Sequence, residues 1–254
     1  GVIAVISLRD MTQRAQLAQT AALILIFYIT LYTAAAILLA GNTNDIDYKN
    51  YIYFAINAVL VICSYGLIFL FERCFGLTSN ITLVELTNVN SNLMLSFAEK
   101  APGTFQHSLQ VSNLATEAAK RIGAKVLLVR TGALYHDIGK LANPVCFTEN
   151  KSEGVNYHDG LSYKESAQEI IRHVTDGLSL AEKYRLPDVL KDFIVSHHGT
   201  TCAAFFLNSY LAEGGDPEDV SAFYYDGRKP VTKEQVILML CDAVEAASRS
   251  LKNY

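Results

Sequence analysis

Gly132-Ala133-Leu134-Tyr135-His136-Asp137-Ile138-Gly139-Lys140 is an apolar, helix-forming run that sets an imidazole beside a carboxylate and then stops at a glycine. The pair offers one borderline nitrogen donor and one hard oxygen donor, and its two oxygens let Asp137 hold one divalent ion or bridge two. A lone His-Asp pair carries little weight. The chain has six histidines, however, and five of them fall into one order around it. They read His107, His136-Asp137, His173 and the doublet His197-His198, with Asp242 following near the C-terminus.

Around these residues the apolar positions recur at helical spacing, and strand-like alternation is hard to find. Leu109, Val111, Leu114, Ala118 and Ile122 predict a helix over 106–121 with His107 near its start and Gly123 at its end. A second helix is expected over 126–140, with His136 and Asp137 near its C-terminal end. A polar loop follows over 143–160, and a helix over 162–175 carries His173. Pro187 opens a helix that runs to His197-His198 before Gly199. Another is expected over 203–213, then an acidic loop over 214–229. Thr232 caps a last helix, with Glu234 in its first turn and Asp242, Glu245 and Arg249 on one broad face. The fold class expected is all-α.

Upstream the composition changes. Hydrophobic residues make up 51% of the chain against 18% charged, and the excess lies before residue 72. No charged side chain occurs over 15–44 or over 51–71, and each run approaches the roughly 20 residues that a membrane helix needs. A short polar connection, Gly41 through Asn50, joins them, so a transmembrane hairpin with spans near 17–40 and 51–72 is expected. Tyr28, Tyr32, Tyr48, Tyr51 and Tyr53 suit interfacial belts, with Tyr28 and Tyr32 equally suited to packing between the helices. Arg9, Arg14 and Arg73 flank one side of the hairpin, and Lys49 beside aspartates the other, which puts the C-terminal part in the cytoplasm. Residues 1–73 thus read as the end of a membrane region, 74–100 as a connecting helix or equally as the first helix of the soluble bundle, and 101–254 as the soluble domain. Gly1 opens as if inside an apolar helix after which Arg9, Asp10 and Arg14 mark a polar turn, and Leu251 to Tyr254 lack a stop signal. The sequence is therefore expected to be a piece of a longer protein.

The net charge of −4 gives no basic footprint for a large nucleic acid. The five cysteines are odd in number and scattered, with no CxxC pair, so neither a disulfide framework nor a zinc knuckle is expected. Cys241, beside Asp242, reads as a small buried apolar residue.

The words Ala101-Pro102-Gly103-Thr104-Phe105-Gln106-His107-Ser108-Leu109, Tyr135-His136-Asp137-Ile138-Gly139-Lys140, Phe147-Thr148-Glu149-Asn150, His197-His198-Gly199-Thr200 and Asp242-Ala243-Val244-Glu245-Ala246-Ala247-Ser248-Arg249-Ser250 resemble the seven-transmembrane HD family. This is a branch of the HD superfamily of metal-dependent phosphohydrolases. The resemblance implies an HD-type helical bundle on the cytoplasmic side of a multi-pass cell-membrane protein. It also implies a phosphodiesterase that hydrolyses cyclic di-AMP to linear pApA, and it is compatible with a homodimer. His107, His136, Asp137 and Asp242 would hold one metal ion, and Asp137, His173, His197 and His198 the other. The family implies iron or manganese. Lys140 and Arg249 would meet phosphate oxygens, and Asn150 and Thr200, beside motif positions, would line the pocket. His158 stands outside the ligand order as a structural or substrate-side residue of the 143–160 loop.

Confining five imidazoles and two carboxylates without a cation is costly, and bound metal resolves that cost. Two ions would acidify a water and neutralise charge on the phosphoryl oxygens. The relatives that cleave cyclic di-GMP carry a GYP-type motif; here the doublet is followed by Gly199-Thr200-Thr201. A nucleotide phosphomonoesterase would manage with the four-ligand set. A nucleotide-binding signalling module without catalysis would show a missing ligand, and the pattern lacks none.

Overall fold

The two uncharged runs fold as two long helices, α1 (Ala15–Ala40) and α2 (Lys49–Phe75), in a computed structural model that describes residues 15–40, 46–151 and 156–250. The sequence readings placed on residues 1–14, on 41–45 of the polar connection, on 152–155 of the loop and on Leu251 to Tyr254 lie outside the described residues. The rest falls into two compact units on either side of the Glu85–Leu86 bond, each with its own packing.

In the first unit α1 and α2 form the expected hairpin. Tyr28 stacks on Phe54 at 5.5 Å, Tyr32 meets Tyr51 edge-on at 5.5 Å, and Thr33 Oγ1 lies 2.7 Å from the Tyr51 hydroxyl. Tyr28 and Tyr32 therefore pack between helices. The outer faces carry exposed Ile26, Leu31, Ile52 and Leu60. Both helices are long and apolar enough to cross a membrane. At the end of α2 Gly76 takes a left-handed conformation with φ 63°, and the Glu72 carboxylate accepts from Ser79 N at 2.6 Å and Thr82 Oγ1 at 3.0 Å. These bonds start α3 (Asn80–Leu86).

The stretch 74–100 carries two helices rather than one. The Asn88 side chain accepts from Asn90 N, and Ser91 Oγ accepts from Met94 N as the N-cap of α4 (Asn92–Lys100). Such side-chain bonds compete with the helical ladder, ending one helix and starting the next.

The second unit is a helical bundle of α5 (Pro102–Arg121), α6 (Val126–Tyr135), α7 (Tyr163–Ile171), α8 (His173–Lys183), α9 (Asp188–Ser196), α10 (Ala204–Ala212) and α11 (Lys233–Ser250). No strand occurs among the described residues, where Cys202 and Tyr224 form an isolated bridge. α5 starts earlier than its apolar period suggests, because Pro102 sits at the first helical turn, where its missing N–H costs nothing. Thr232 caps α11 as expected: Thr232 Oγ1 accepts from Gln235 N at 3.2 Å, while Gln235 Oε1 accepts from Val231 N at 2.8 Å. Met94, Phe97, Val111, Val129, Tyr135, Phe193, Ile194 and Leu238 fill the core, each large side chain contributing about 1.5–3 kcal/mol of burial. The one polar tip in that group is satisfied, since the Tyr135 hydroxyl donates to Leu86 O at 3.0 Å.

The helix expected over 126–140 stops sooner. After Tyr135 the chain turns through His136 and Asp137 into a short 3-10 helix, Ile138–Ala142. The helix expected over 162–175 likewise breaks at Arg172, so that His173 heads α8. Both departures meet at Gly139: a Cβ there would lie 1.8 Å from His173 O and 2.4 Å from Gly177 N. Backbone packs directly on backbone at this crossing, which draws the Asp137 turn onto the start of α8. Gly139→Ala should therefore destabilise the second unit by about 2–3 kcal/mol, measurable as a lower midpoint in chemical unfolding of the variant beside the parent chain.

Candidate metal centre

Three helix ends and two helix interiors bring the donors together. His136 and His197 sit just past the C-termini of α6 and α9, His173 follows the end of α7, His107 lies inside α5, and Asp242 inside α11. Asp137, 2% exposed, is the hub. Its Oδ1 lies 3.5 Å from His173 Nε2 and 3.6 Å from His197 Nε2. Its Oδ2 lies 3.2 Å from His136 Nε2 and 3.6 Å from His107 Nε2. Asp242 Oδ1 closes the second side at 2.9 Å from His107 Nε2 and 3.7 Å from His136 Nε2. His198 stacks on Tyr225 with ring centroids 4.3 Å apart and lies 4.1 Å from the His197 ring.

The donors form two sets, Asp137 with His173, His197 and His198, and His107 with His136 and Asp242, and within each set the ligand atoms lie within 4.8 Å of one another. The seven residues singled out in the sequence as ligands are the seven gathered here.

The imidazoles are turned inward by their outer nitrogens. His136 Nδ1 donates to Ala133 O at 2.8 Å, His173 Nδ1 to Ile170 O at 2.6 Å, and His197 Nδ1 to Ile194 O at 2.7 Å. Each acceptor lies in the last turn of a helix, where carbonyls have no helical partner. With the proton fixed on Nδ1, the Nε2 lone pair is the one presented to the centre. His173 Nε2 and His197 Nε2 then stand 3.1 Å apart. Two lone pairs at that distance repel unless a proton or cation lies between them. Asp137 Oδ1 and His136 Nε2 are, moreover, buried with no hydrogen-bond partner, each a deficit of about 1–3 kcal/mol. Oxygen and neutral nitrogen donors, converging and unpaired, fit divalent-metal binding.

The charge balance agrees. Burial opposes charge on His136, but Asp137 and Asp242 outweigh it and hold its imidazolium up to about 10. Burial also opposes ionisation of Asp137, yet Lys140 and His136 keep it well below the usual carboxylate range. Burial holds His173 neutral, down to about 3, and with the neighbouring His197 it holds His198 neutral too. Without an ion, the cluster needs a proton on His136 to offset its aspartates; a divalent cation fills that role with both carboxylates ionised.

A cavity of about 480 Å³ opens over the second side of the cluster. Lys140 and Arg249 line it, as do Thr148 and Glu149. Lys140 Nζ is held at 2.9 Å from both Asp137 Oδ2 and Glu149 Oε1, over the Phe147 ring. Asn150 and Thr200 are not among the cavity's walls. Asn150 is engaged in bracing the loop against α5, accepting from Thr104 N at 3.1 Å and donating to Thr104 Oγ1 at 2.8 Å, and Thr200 is exposed at the surface. His158 donates to Cys146 O at 2.9 Å, a structural tie within its loop. Cys241 is buried, and burial raises its thiol.

Sequence reasoning passed over Glu149, Glu245 and Tyr225 as site residues. Glu245 lies three residues beyond Asp242 on the same helix face, a signal that was there to read. Tyr225 reaches His198 from a distant loop and leaves no local trace.

A family model described as "HD domain" matches residues 104–247, and one described as "7TM receptor with intracellular HD hydrolase" matches residues 1–79. The latter match and the two apolar helices mark the chain as membrane-associated. The chain is 44% identical over 186 residues to the cyclic-di-AMP phosphodiesterase PgpH of Listeria monocytogenes, covering 73% of this chain and 26% of that protein. It is 36% identical over 261 residues to the cyclic-di-AMP phosphodiesterase PgpH of Bacillus subtilis, covering 100% of this chain and 36% of that protein. It thus spans about a quarter to a third of the length of these curated relatives. The crystal structure of the Listeria monocytogenes PgpH HD domain in complex with cyclic-di-AMP superposes with a TM-score of 0.62 at 40% identity, covering 66% of this chain and 78% of that one.

Manganese at about 100 times its dissociation constant should stabilise the parent chain by about 2.7 kcal/mol. The same addition should leave Asp137→Ala unshifted. Thermal unfolding with and without a chelator reads the difference, and equal shifts in the two proteins would place the ion elsewhere.

Proposed function

We propose, from the premise that the chain belongs to the HD-domain family, that it is the membrane-anchored, metal-dependent part of a phosphodiesterase that hydrolyses cyclic di-AMP to linear pApA. The observation that carries this reading is the division of the Asp137 carboxylate, with one oxygen facing His173 and His197 and the other facing His136 and His107. A carboxylate so placed suits a bridge between two ions. His107, His136, Asp137 and Asp242 would hold one, and Asp137, His173, His197 and His198 the other.

The donor set, rich in nitrogen and free of thiolate, suits iron or manganese and by affinity alone also nickel, cobalt or zinc, among which the family resemblance favours the first two. When bound, a divalent pair supplies an acidified water and offsets the charge that builds on the phosphoryl oxygens.

The rest of the work falls to the chain's own side chains. Lys140, fixed between Asp137 and Glu149, presents an ammonium at the cavity wall, where it would contact a phosphate oxygen. Arg249 brings a guanidinium to the same cavity. Its Nε is bonded to Glu245 Oε1 at 2.6 Å, leaving its terminal nitrogens to meet a phosphate. In the reaction the water oxygen forms a bond to phosphorus as the bond to the ribose 3′ oxygen breaks, and that oxygen leaves with a proton. One such cleavage opens the ring to pApA.

The adenine preference is supported by the names of the relatives and by the lack, downstream of His197-His198, of the GYP-type motif that the cyclic di-GMP enzymes carry. The excess of arginine in the flanking sequence, Arg9, Arg14 and Arg73 against Lys49 beside aspartates, supports a cytoplasmic orientation for the HD domain, residues 101–254, in a multi-pass membrane protein.

The test is turnover by the full chain in detergent with manganese or iron, comparing cyclic di-AMP with cyclic di-GMP. Metal-dependent release of pApA, selective for the adenine dinucleotide and lost in Asp137→Ala, is expected. Lys140→Ala should lower kcat about 100-fold while keeping its bound metal. Two bound ions with binding but no turnover of cyclic di-AMP would make the chain a nucleotide-sensing module instead.

A further inference from the structure

Three of the five imidazoles are oriented by backbone carbonyls, His198 stacks on Tyr225, and His107 is the one turned by a side-chain carboxylate. His136, His173 and His197 each use a carbonyl freed by the end of a helix. His107 lies inside α5, at the sixth of its 20 residues, where the carbonyls of the preceding turn are engaged by the helix itself. Its Nδ1 therefore needs a side-chain acceptor. That acceptor is the carboxylate of Glu245, which makes a short contact with His107 Nδ1 from the facing helix α11. Glu245 is 6% exposed, and its other oxygen accepts from Arg249 Nε at 2.6 Å. A carboxylate buried at this depth is tolerated because both of its oxygens are bonded to cationic or N–H donors.

We infer that Glu245 is a positioning residue for one ion alone. By accepting the His107 Nδ1 proton in a charge-assisted bond it fixes the tautomer that presents Nε2 to Asp137 and Asp242. The set of His107, His136 and Asp242 thus depends on a side chain. In the set of Asp137, His173, His197 and His198, His173 and His197 are held by backbone carbonyls and His198 by stacking on Tyr225. Arg249 ties Glu245 to the cavity wall, so the same carboxylate links the phosphate-facing guanidinium to this ligand. The inference rests on reading the cluster as a two-ion site and adds that the two sites are supported unequally.

The test is a manganese-binding isotherm on the full chain in detergent, with free manganese counted by electron paramagnetic resonance. The parent chain is expected to take two ions, and Glu245→Gln to bind one of them about 10–100-fold more weakly and the other unchanged. His197→Ala, which removes a ligand of the opposite set, should retain the affinity that Glu245→Gln loses. Thermal unfolding in chelator checks that the variant is folded without metal. If Glu245→Gln does not fold because it strands the guanidinium, the double variant Glu245→Gln/Arg249→Gln removes both charges and carries the same expectation. Two unchanged affinities, or two affinities weakened alike, would overturn the role assigned to Glu245. Fewer than two ions in the parent chain would instead overturn the two-ion reading itself.

Discussion

Asp137 is a carboxylate taken out of water and surrounded by imidazole nitrogens, and the second unit is arranged around that burial. Unit charges 4 Å apart at an effective dielectric constant near 20 interact by about 4 kcal/mol, so an uncompensated charge here would cost much of a domain's net stability. Lys140 answers part of the demand and His136, when protonated, another part. The lone pairs of His173 and His197, facing each other at 3.1 Å, are not answered by either. A divalent cation meets all of these demands together, which is why the centre reads as a site for ions rather than as a buried polar network.

Helix termini are the means by which the chain builds this centre. Stopping α6 at Tyr135, α7 at Ile171 and α9 at Ser196 leaves carbonyls that orient three imidazoles without any further side chain. The direct backbone contact at Gly139 then sets the Asp137 turn against the start of α8. His107, placed within a helix, cannot use this device and takes Glu245 from α11. Local backbone geometry thus decides which ligands carry their own support and which must borrow it from a neighbouring helix.

The cavity beside the centre follows from the same packing. Glu149 accepts from Thr104 Oγ1 at 3.0 Å and from Lys140 Nζ, so the loop after the HD turn is held to α5. Gly103 permits that closeness, since a Cβ there would lie 1.8 Å from Glu149 O. Lys140 is left with an anchored ammonium facing open space over Asp137. Charge complementarity for a phosphate is built here from residues whose positions are fixed by contacts far apart in sequence.

The sequence alone determined the helical class, the apolar hairpin and the seven metal-ligand candidates. Each of these leaves a local signature: periodicity, an uncharged run, or a rare residue type in a set order. It offered Lys140 and Arg249, two cations within the family-like words, as phosphate contacts, and both line the cavity. It offered Asn150 and Thr200 from their adjacency to motif positions, and neither lines the cavity, because adjacency does not fix which way a side chain turns. Only the tertiary structure decided that α6 stops at Tyr135, that His173 heads its own helix, and that Glu245 serves His107 rather than the surface. Those outcomes depend on backbone contact at Gly139 and on which carbonyls the helix ends leave free, and both are settled between segments distant in sequence.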